Sequence, residues 1–270
     1  MMSRIGLVAW HVFKESVRDR VLYGIAGFAL LLVVASFAIG QITAGQDLKI
    51  IKDLGLAAIE MAGVLITVFI GVGLVSREID RRSIFSLLAK PLPRWEFIVG
   101  KYLGLVLTVA VNIWAMTAAL YLMLGWITFV TPTNLRLAWD APAIDPRLLT
   151  QIALFTAELA LLTAIALFFS TFSSSALMSV VFTVSLYVMG LASADLRNFN
   201  DIVDAPVVGH VVSAVGWIVP AFSEFDLKND IVHGRPISPG QVSAALAYSA
   251  IYVATLVTAA VGVFSRREFK

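Results

Sequence analysis

Apolar runs long enough to cross a bilayer recur six times along the 270 residues. A hydrocarbon core of about 30 Å takes about 20 apolar residues at about 1.5 Å of helix rise each. The pattern predicts spans over Val21 to Gln41, Leu56 to Ser76, Tyr102 to Val130, Leu148 to Ser170, Ala176 to Ala194 and Val242 to Phe264. The first run follows Arg18 and Arg20 in the manner of a signal peptide, but it is too long and lacks a small-residue cleavage site, so it reads as a retained helix. Before it, Ile5, Val8, Ala9, Val12, Phe13 and Val17 share one helical face, with Arg4, His11, Lys14 and Arg18 opposite. Residues 1–20 therefore predict an interfacial helix with its apolar side toward the acyl chains, either an insertion anchor or an organiser of the surface it lies on.

The polar stretches carry their own pattern. Between the second and third spans, Ser83 can cap a short helix, Ile84, Leu87 and Leu88 form an apolar stripe, and Pro91 with Pro93 stops it. The result is a short helix over about 83–90 whose exposed leucines call for a partner groove. The long segment 195–241 contains Val207 to Val219, apolar but too short to cross, which predicts a re-entrant or interfacial hairpin. Glu224, Asp226, Asp230 and His233 follow at irregular spacing and read as a solvated surface rather than a metal site.

Composition fixes the solvent. With 59% apolar and 14% charged residues and a mean hydropathy of +0.89, the chain cannot present a mostly polar surface to water. The fold class is all-α integral membrane, one transmembrane domain over 1–270 in which no separate soluble domain fits. The lack of cysteine excludes disulfides and thiolate metal sites, and nothing points to nucleic acid. Thirteen of the 20 Lys and Arg residues fall on the side holding the two termini and the 76–101 loop, whereas 195–241 on the other side carries six acids against three bases. By the positive-inside rule both termini are cytoplasmic, the 83–90 helix is cytoplasmic and the 195–241 insertion is extracytoplasmic.

Inside the spans, Glu158 is exceptional. An ionised carboxylate near the midplane costs about 2.5 to 3.5 kcal/mol or more, so it needs a partner or a wet cavity. Two readings stay open: a protonated Glu158 bonded to a hydroxyl or to Asn112, or Glu158 and Asn112 lining a substrate or proton path. Glu60 falls near the outer end of its span, within reach of water. Gly63, Thr67 and Gly71, and again Ala250, Ala254, Thr258 and Gly262, form small-residue ladders for close packing within the subunit or across a dimer. His11, His210 and His233 all lie outside the spans, which argues against an intramembrane protease or a His-ligated metal.

The run Ser76-Arg77-Glu78, Ser83, Leu87-Leu88-Ala89, Pro91, Arg94, Glu96-Phe97 and Gly100-Lys101 resembles the cytoplasmic loop of type-2 ABC exporter permeases, and the ending Phe264-Ser265-Arg266-Arg267-Glu268-Phe269 is similar to theirs. The resemblance is nearest to the multicopper-enzyme-maturation group and covers essentially the whole chain. It implies a permease subunit whose coupling helix, about 83–90, docks into a nucleotide-binding subunit through Glu78, Arg82, Ser83, Ile84, Leu87, Leu88 and Lys90. The family often has Gly-Thr where this chain has Arg82-Ser83; the hydroxyl cap is kept and the glycine lost. No G-x-x-x-x-G-K-[ST] occurs, so the chain is expected to be no ATPase and to hold no cofactor itself. ATP and Mg would be bound by two copies of an ABC ATPase, joined by a second permease copy or homologue, in the bilayer of a bacterial inner membrane and in reach of periplasmic partners. Lipids, glycans, peptides, drugs and ions all remain open as substrates. The alternative is a secondary transporter or channel, which would need no docking helix.

Overall fold

The computed structural model describes residues 3–42, 47–80, 93–136, 139, 141–173, 175–193, 195, 212 and 214–266. Seven helices carry the architecture: α1 Arg4–Val17, α2 Arg20–Ile42, α3 Asp47–Asp80, α4 Arg94–Val130, α5 Arg147–Phe172, α6 Ala176–Leu191 and α7 Pro239–Arg266. Among the described residues there is no strand. Ser3 caps α1 by accepting from the Gly6 amide, and Asp19 accepts from Val21 at the start of α2, so a polar cap separates the amphipathic helix from the first span.

Among the described residues, five helices (α2, α3, α4, α5 and α7) are long and apolar enough to cross a membrane. The fifth expected span is shorter than predicted: α6 has 16 residues, about 24 Å at 1.5 Å per residue. Three other boundaries also move. α3 starts at Asp47 and runs to Asp80, and α4 begins at Arg94 rather than Tyr102. Hydropathy marks where lipid ends, but the backbone ladder continues through charged residues until a proline or glycine stops it. Pro93 is such a point, serving as the N-cap of α4.

The core is organised around α5. Its sequence is apolar on every side, the mark of a helix surrounded by protein, and Leu154, Phe155, Leu159, Leu161, Leu162 and Ile165 are all fully buried. α3, α4, α6 and α7 each pack on it. The ladder in α3 is a packing surface within the subunit: a Cβ at Gly63 would fall onto the Leu159 and Ile113 side chains, and one at Gly71 would meet Ala166 at 3.4 Å. Lipid tails are as apolar as leucine, so such close approach, with its dispersion contacts, takes the place of the hydrophobic effect. The α7 ladder points elsewhere: Ala250, Ala254, Thr258 and Gly262 are exposed in the single chain.

Buried hydroxyls are satisfied mostly within their own helices, Thr108 on Gly104, Thr117 on Ile113 and Thr163 on Leu159. Three further bonds tie elements together: Tyr102 to the Ala160 carbonyl, Ser249 to that of Ala157, and Tyr121 to that of Asp145.

α1 departs from expectation. Val12 is buried, and the Val8 and Val12 side of α1 lies against α4 at Gly100 and Gly104. A Cβ on Gly104 would come within 2.6 Å of the Ala9 carbonyl oxygen. Part of the apolar face expected to meet acyl chains is thus covered by protein, because two glycines one turn apart leave α4 a groove that α1 fills. Leu7 and Trp10 stay exposed.

Candidate functional site

Two constellations stand out, one at each end of the bundle. At the end where α4 begins and α7 finishes, the Arg94 guanidinium donates to the carbonyls of Phe264 at 3.3 Å and Ser265 at 2.9 Å. The last carbonyls of a helix have no partner within it, and a cation there also suits the helix dipole. One turn on, the Phe97 ring stacks on Phe264 with centroids 5.9 Å apart, and the buried Lys101 ammonium sits 4.8 Å from the Phe97 ring. Phe264 continues into a small apolar cluster with Ile98, Tyr102, Leu167 and Ala260. The first turns of α4 therefore touch α7 on one flank and α1 on the other.

Arg94 and Phe97, far apart in sequence from Phe264 and Ser265, thus meet them in space, while Gly100 faces α1 and Lys101 lies over the Phe97 ring. Sequence reading noted both motifs separately but not that they form one junction. Of the expected coupling residues, Glu78 lies on the last turn of α3. Arg82, Ser83, Ile84, Leu87, Leu88 and Lys90 lie outside the described residues.

The second constellation surrounds Glu158. The residue is 2% exposed, and the Tyr187 hydroxyl of α6 donates to its Oε1 at 3.2 Å. The hydroxyl partner expected from sequence is present. Asn112 is not its partner: its amide donates to the Thr108 carbonyl of its own helix at 2.8 Å, because a carbonyl four residues back is nearer than another helix. Glu60 is less open to water than expected, with its side chain 18% exposed and hydrogen-bonded to the Lys228 ammonium. Lys228 also lies 3.7 Å from Asp226 and 5.8 Å from the Phe155 ring centroid. Burial alone would lower the Lys228 ammonium, but the hydrogen bond it donates to Glu60 and the charges of Glu60, Asp226 and Asp53 outweigh it and hold it above its usual range.

Lys228 arrives on the insertion, whose last part folds back into the bundle. Residues 214–218 are helical, Phe222–Phe225 form a 3₁₀ turn and Lys228–Val232 a short helix. Val219, Ala221, Phe222, Phe225, Ile231 and Val232 are buried, whereas Trp217 and Ile218 are exposed. The first part of the expected hairpin, 207–211, and residue 213 lie outside the described residues; 214–218 are helical, and the portion seated in protein is the later 219–232. Its footing is specific. The buried Gln151 amide donates to the Phe225 carbonyl and accepts from the Leu227 amide, both at 3.0 Å. Phe222 packs on Gly190, where any side chain would collide with the ring and with the Pro220 carbonyl. The Tyr248 hydroxyl accepts from the Ala221 amide at 2.9 Å.

Sequence reasoning missed Gln151, Tyr187 and Lys228. The available signal was Gln151, two turns before Glu158 on the same face of an otherwise apolar helix. Glu224, Asp226 and His233 are exposed, as expected of a solvated surface. Asp230 pairs with Arg235 at 3.4 Å, and no group able to hold a metal occurs among the described residues.

Residues 7–268 match the family model described as ABC-2 family transporter protein. A search of curated proteins gave no match.

Proposed function

Because the chain belongs to the ABC-2 family of transporter proteins, we propose that it is the permease subunit of an ATP-driven exporter whose ATP is bound and hydrolysed by a separate subunit. Members of this family are in general non-catalytic membrane subunits that work with an ATP-binding partner. The observation carrying the reading is the family match over nearly the whole chain, in which no phosphate-cradling loop occurs.

The finer assignment joins sequence to geometry. Residues 83–90 are the coupling helix, set between α3 and α4 and contacting the ATPase through Glu78, Arg82, Ser83, Ile84, Leu87, Leu88 and Lys90. Both termini and this helix face the cytoplasm, six helices cross a bacterial inner membrane, and two such chains, or one with a homologue, assemble with two ATPase subunits. Closure of the ATPases on ATP would push the coupling helix against α3 and α4. α4 is 37 residues long, about 55 Å of continuous helix, and its first turns are already fastened to α1 and α7. Displacement at the coupling helix would therefore move three helices together.

Purification of the tagged chain from its native membrane tests this. Recovery of a stoichiometric ATPase whose activity depends on residues 83–90 is the expected result. Transport by the purified chain alone, driven by an ion gradient and indifferent to ATP, would establish the secondary-transporter alternative.

A further inference from the structure

The exposed side of α1 is not the side that its hydropathy would place on a membrane. Val8 and Val12 meet α4 at Gly100 and Gly104, with the Ile5 and Ala9 carbonyls alongside. That contact turns the opposite side outward. At about 100° per residue, Arg4, Leu7, Trp10, His11, Lys14 and Arg18 share one face, and all six are exposed.

Two of the six are apolar. Leu7 is 57% and Trp10 44% exposed, and the half-buried Phe13 stacks on Trp10 with centroids 5.4 Å apart. The Lys14 ammonium stands 5.4 Å from the Trp10 ring centroid, so a cation and an aromatic ring are held together. This mixture suits a bilayer interface. Tryptophan prefers the level of the headgroups, and a long basic side chain lays its stem on apolar surface while its charged end reaches a phosphate.

Charge and connection identify the occupant. The face carries Arg4, Lys14 and Arg18 and no acid. Glu15 lies at its edge, and the Asp19 carboxylate accepts from the Val21 amide at the start of α2. The exposed Arg20 opens α2 two residues after the Arg18 cap of α1. Since α2 is long and apolar enough to cross a membrane, the end of α1 is fixed where a span leaves the lipid, with Arg18 and Arg20 beside that point. An acidic protein surface could meet the cations, but only lipid is present wherever a span begins. With Val8 and Val12 covered by α4, α1 also lacks much of the acyl-chain burial that holds an amphipathic helix to neutral lipid. Attraction to negative headgroups, acting over about 10 Å, makes up the difference.

We infer that this face of α1 is a docking surface for anionic phospholipid headgroups, with Lys14 and Arg18 on the phosphates and Leu7 and Trp10 at the acyl boundary. The surface belongs to the single chain and does not depend on the permease reading. Because α1 fills the groove of α4, whose first turns also hold α7, this lipid contact bears on the Arg94 junction.

The chain contains no cysteine, so a thiol introduced at His11 reports on this face alone. The full chain is placed in nanodiscs, which leave both membrane faces open, made of phosphatidylcholine alone or of an equal mixture with phosphatidylglycerol. An uncharged polyethylene glycol maleimide should label His11→Cys at least about fivefold more slowly in the mixture, the change expected from one cation at an anionic surface. Ser223→Cys, exposed on the insertion, should label at one rate in both. Lys14→Gln with Arg18→Gln should abolish the difference at His11, whereas Lys14→Arg with Arg18→Lys should preserve it. Both side chains are exposed, so these changes leave the α4 contact intact. Equal rates at His11 in the two membranes, or a difference that survives the double Gln variant, would overturn the inference. Shielding of His11→Cys by the copurified ATPase in phosphatidylcholine alone would give the face to that subunit, overturning the lipid assignment and leaving the permease reading in place.

Discussion

Arg94, the first residue of α4, donates to the Phe264 carbonyl in the last turn of α7, 170 residues away in sequence. A second bond to Ser265 makes the guanidinium a bridge between two helix ends. Both bonds leave the same terminal nitrogen, Nη1, which serves two successive carbonyls at the end of α7.

Replacing Arg94 should loosen the α7 terminus without unfolding the bundle. A charge-assisted hydrogen bond contributes about 1.5 to 3 kcal/mol. Arg94→Ala should raise amide exchange across residues 260–266 by about tenfold or more, while α5 stays protected. Arg94→Lys should fall between.

α1 depends on the two glycines of α4. Gly104→Leu would drive a side chain into the Ala9 carbonyl and Val12, and overpacking costs about 1 to 3 kcal/mol. A thiol at Val12, buried in the native protein, should become reactive in this variant. Gly262→Leu, where nothing lies within 4 Å, should leave it shielded.

At Glu158 the two open readings separate cleanly. Tyr187→Phe removes the hydroxyl that Glu158 accepts from, an expected loss of about 1 to 3 kcal/mol for a buried group left without its partner. Glu158→Gln keeps an acceptor of similar shape, so thermal stability of the extracted protein should scarcely change. Reduced transport with the Gln variant would assign Glu158 to the path; unchanged transport would exclude proton exchange there.

Orientation can be read directly with an impermeant thiol reagent. Single cysteines at Lys49, Ala141 and Asn229 should react from outside the cell, and those at Ser3, Ser86 and Lys270 only after permeabilisation. Labelling of position 86 from outside would reverse the assigned topology.

The coupling helix is tested by truncating its leucines. Leu87→Ala with Leu88→Ala should weaken association with the ATPase by well over about tenfold, since interface anchors typically contribute about 2 kcal/mol or more each. Uncoupling of ATP hydrolysis from transport would be an equivalent result. Lys49→Ala on the other side should do neither. Intact association and transport in the double variant would remove residues 83–90 from the interface.

The linear chain was sufficient for the class. Lipid can solvate only continuous apolar helices, so hydropathy alone located the long helices, but that α5 has protein on every side came only from the packing. The small-residue ladder in α3 is local and was readable. Helix ends were not, because the backbone ladder ignores the polarity change that hydropathy detects. Which polar groups meet was a tertiary decision. Glu158 could have bonded any of several groups, and packing of α6 on α5 chose Tyr187 over Asn112. Lys228 looked like one more charge in a polar loop until 219–232 folded inward and brought it to Glu60. Arg94 and Phe264 became neighbours only when α4 and α7 converged. Each pairing joins residues distant in sequence, where no spacing rule operates and three-dimensional packing alone sets the distance.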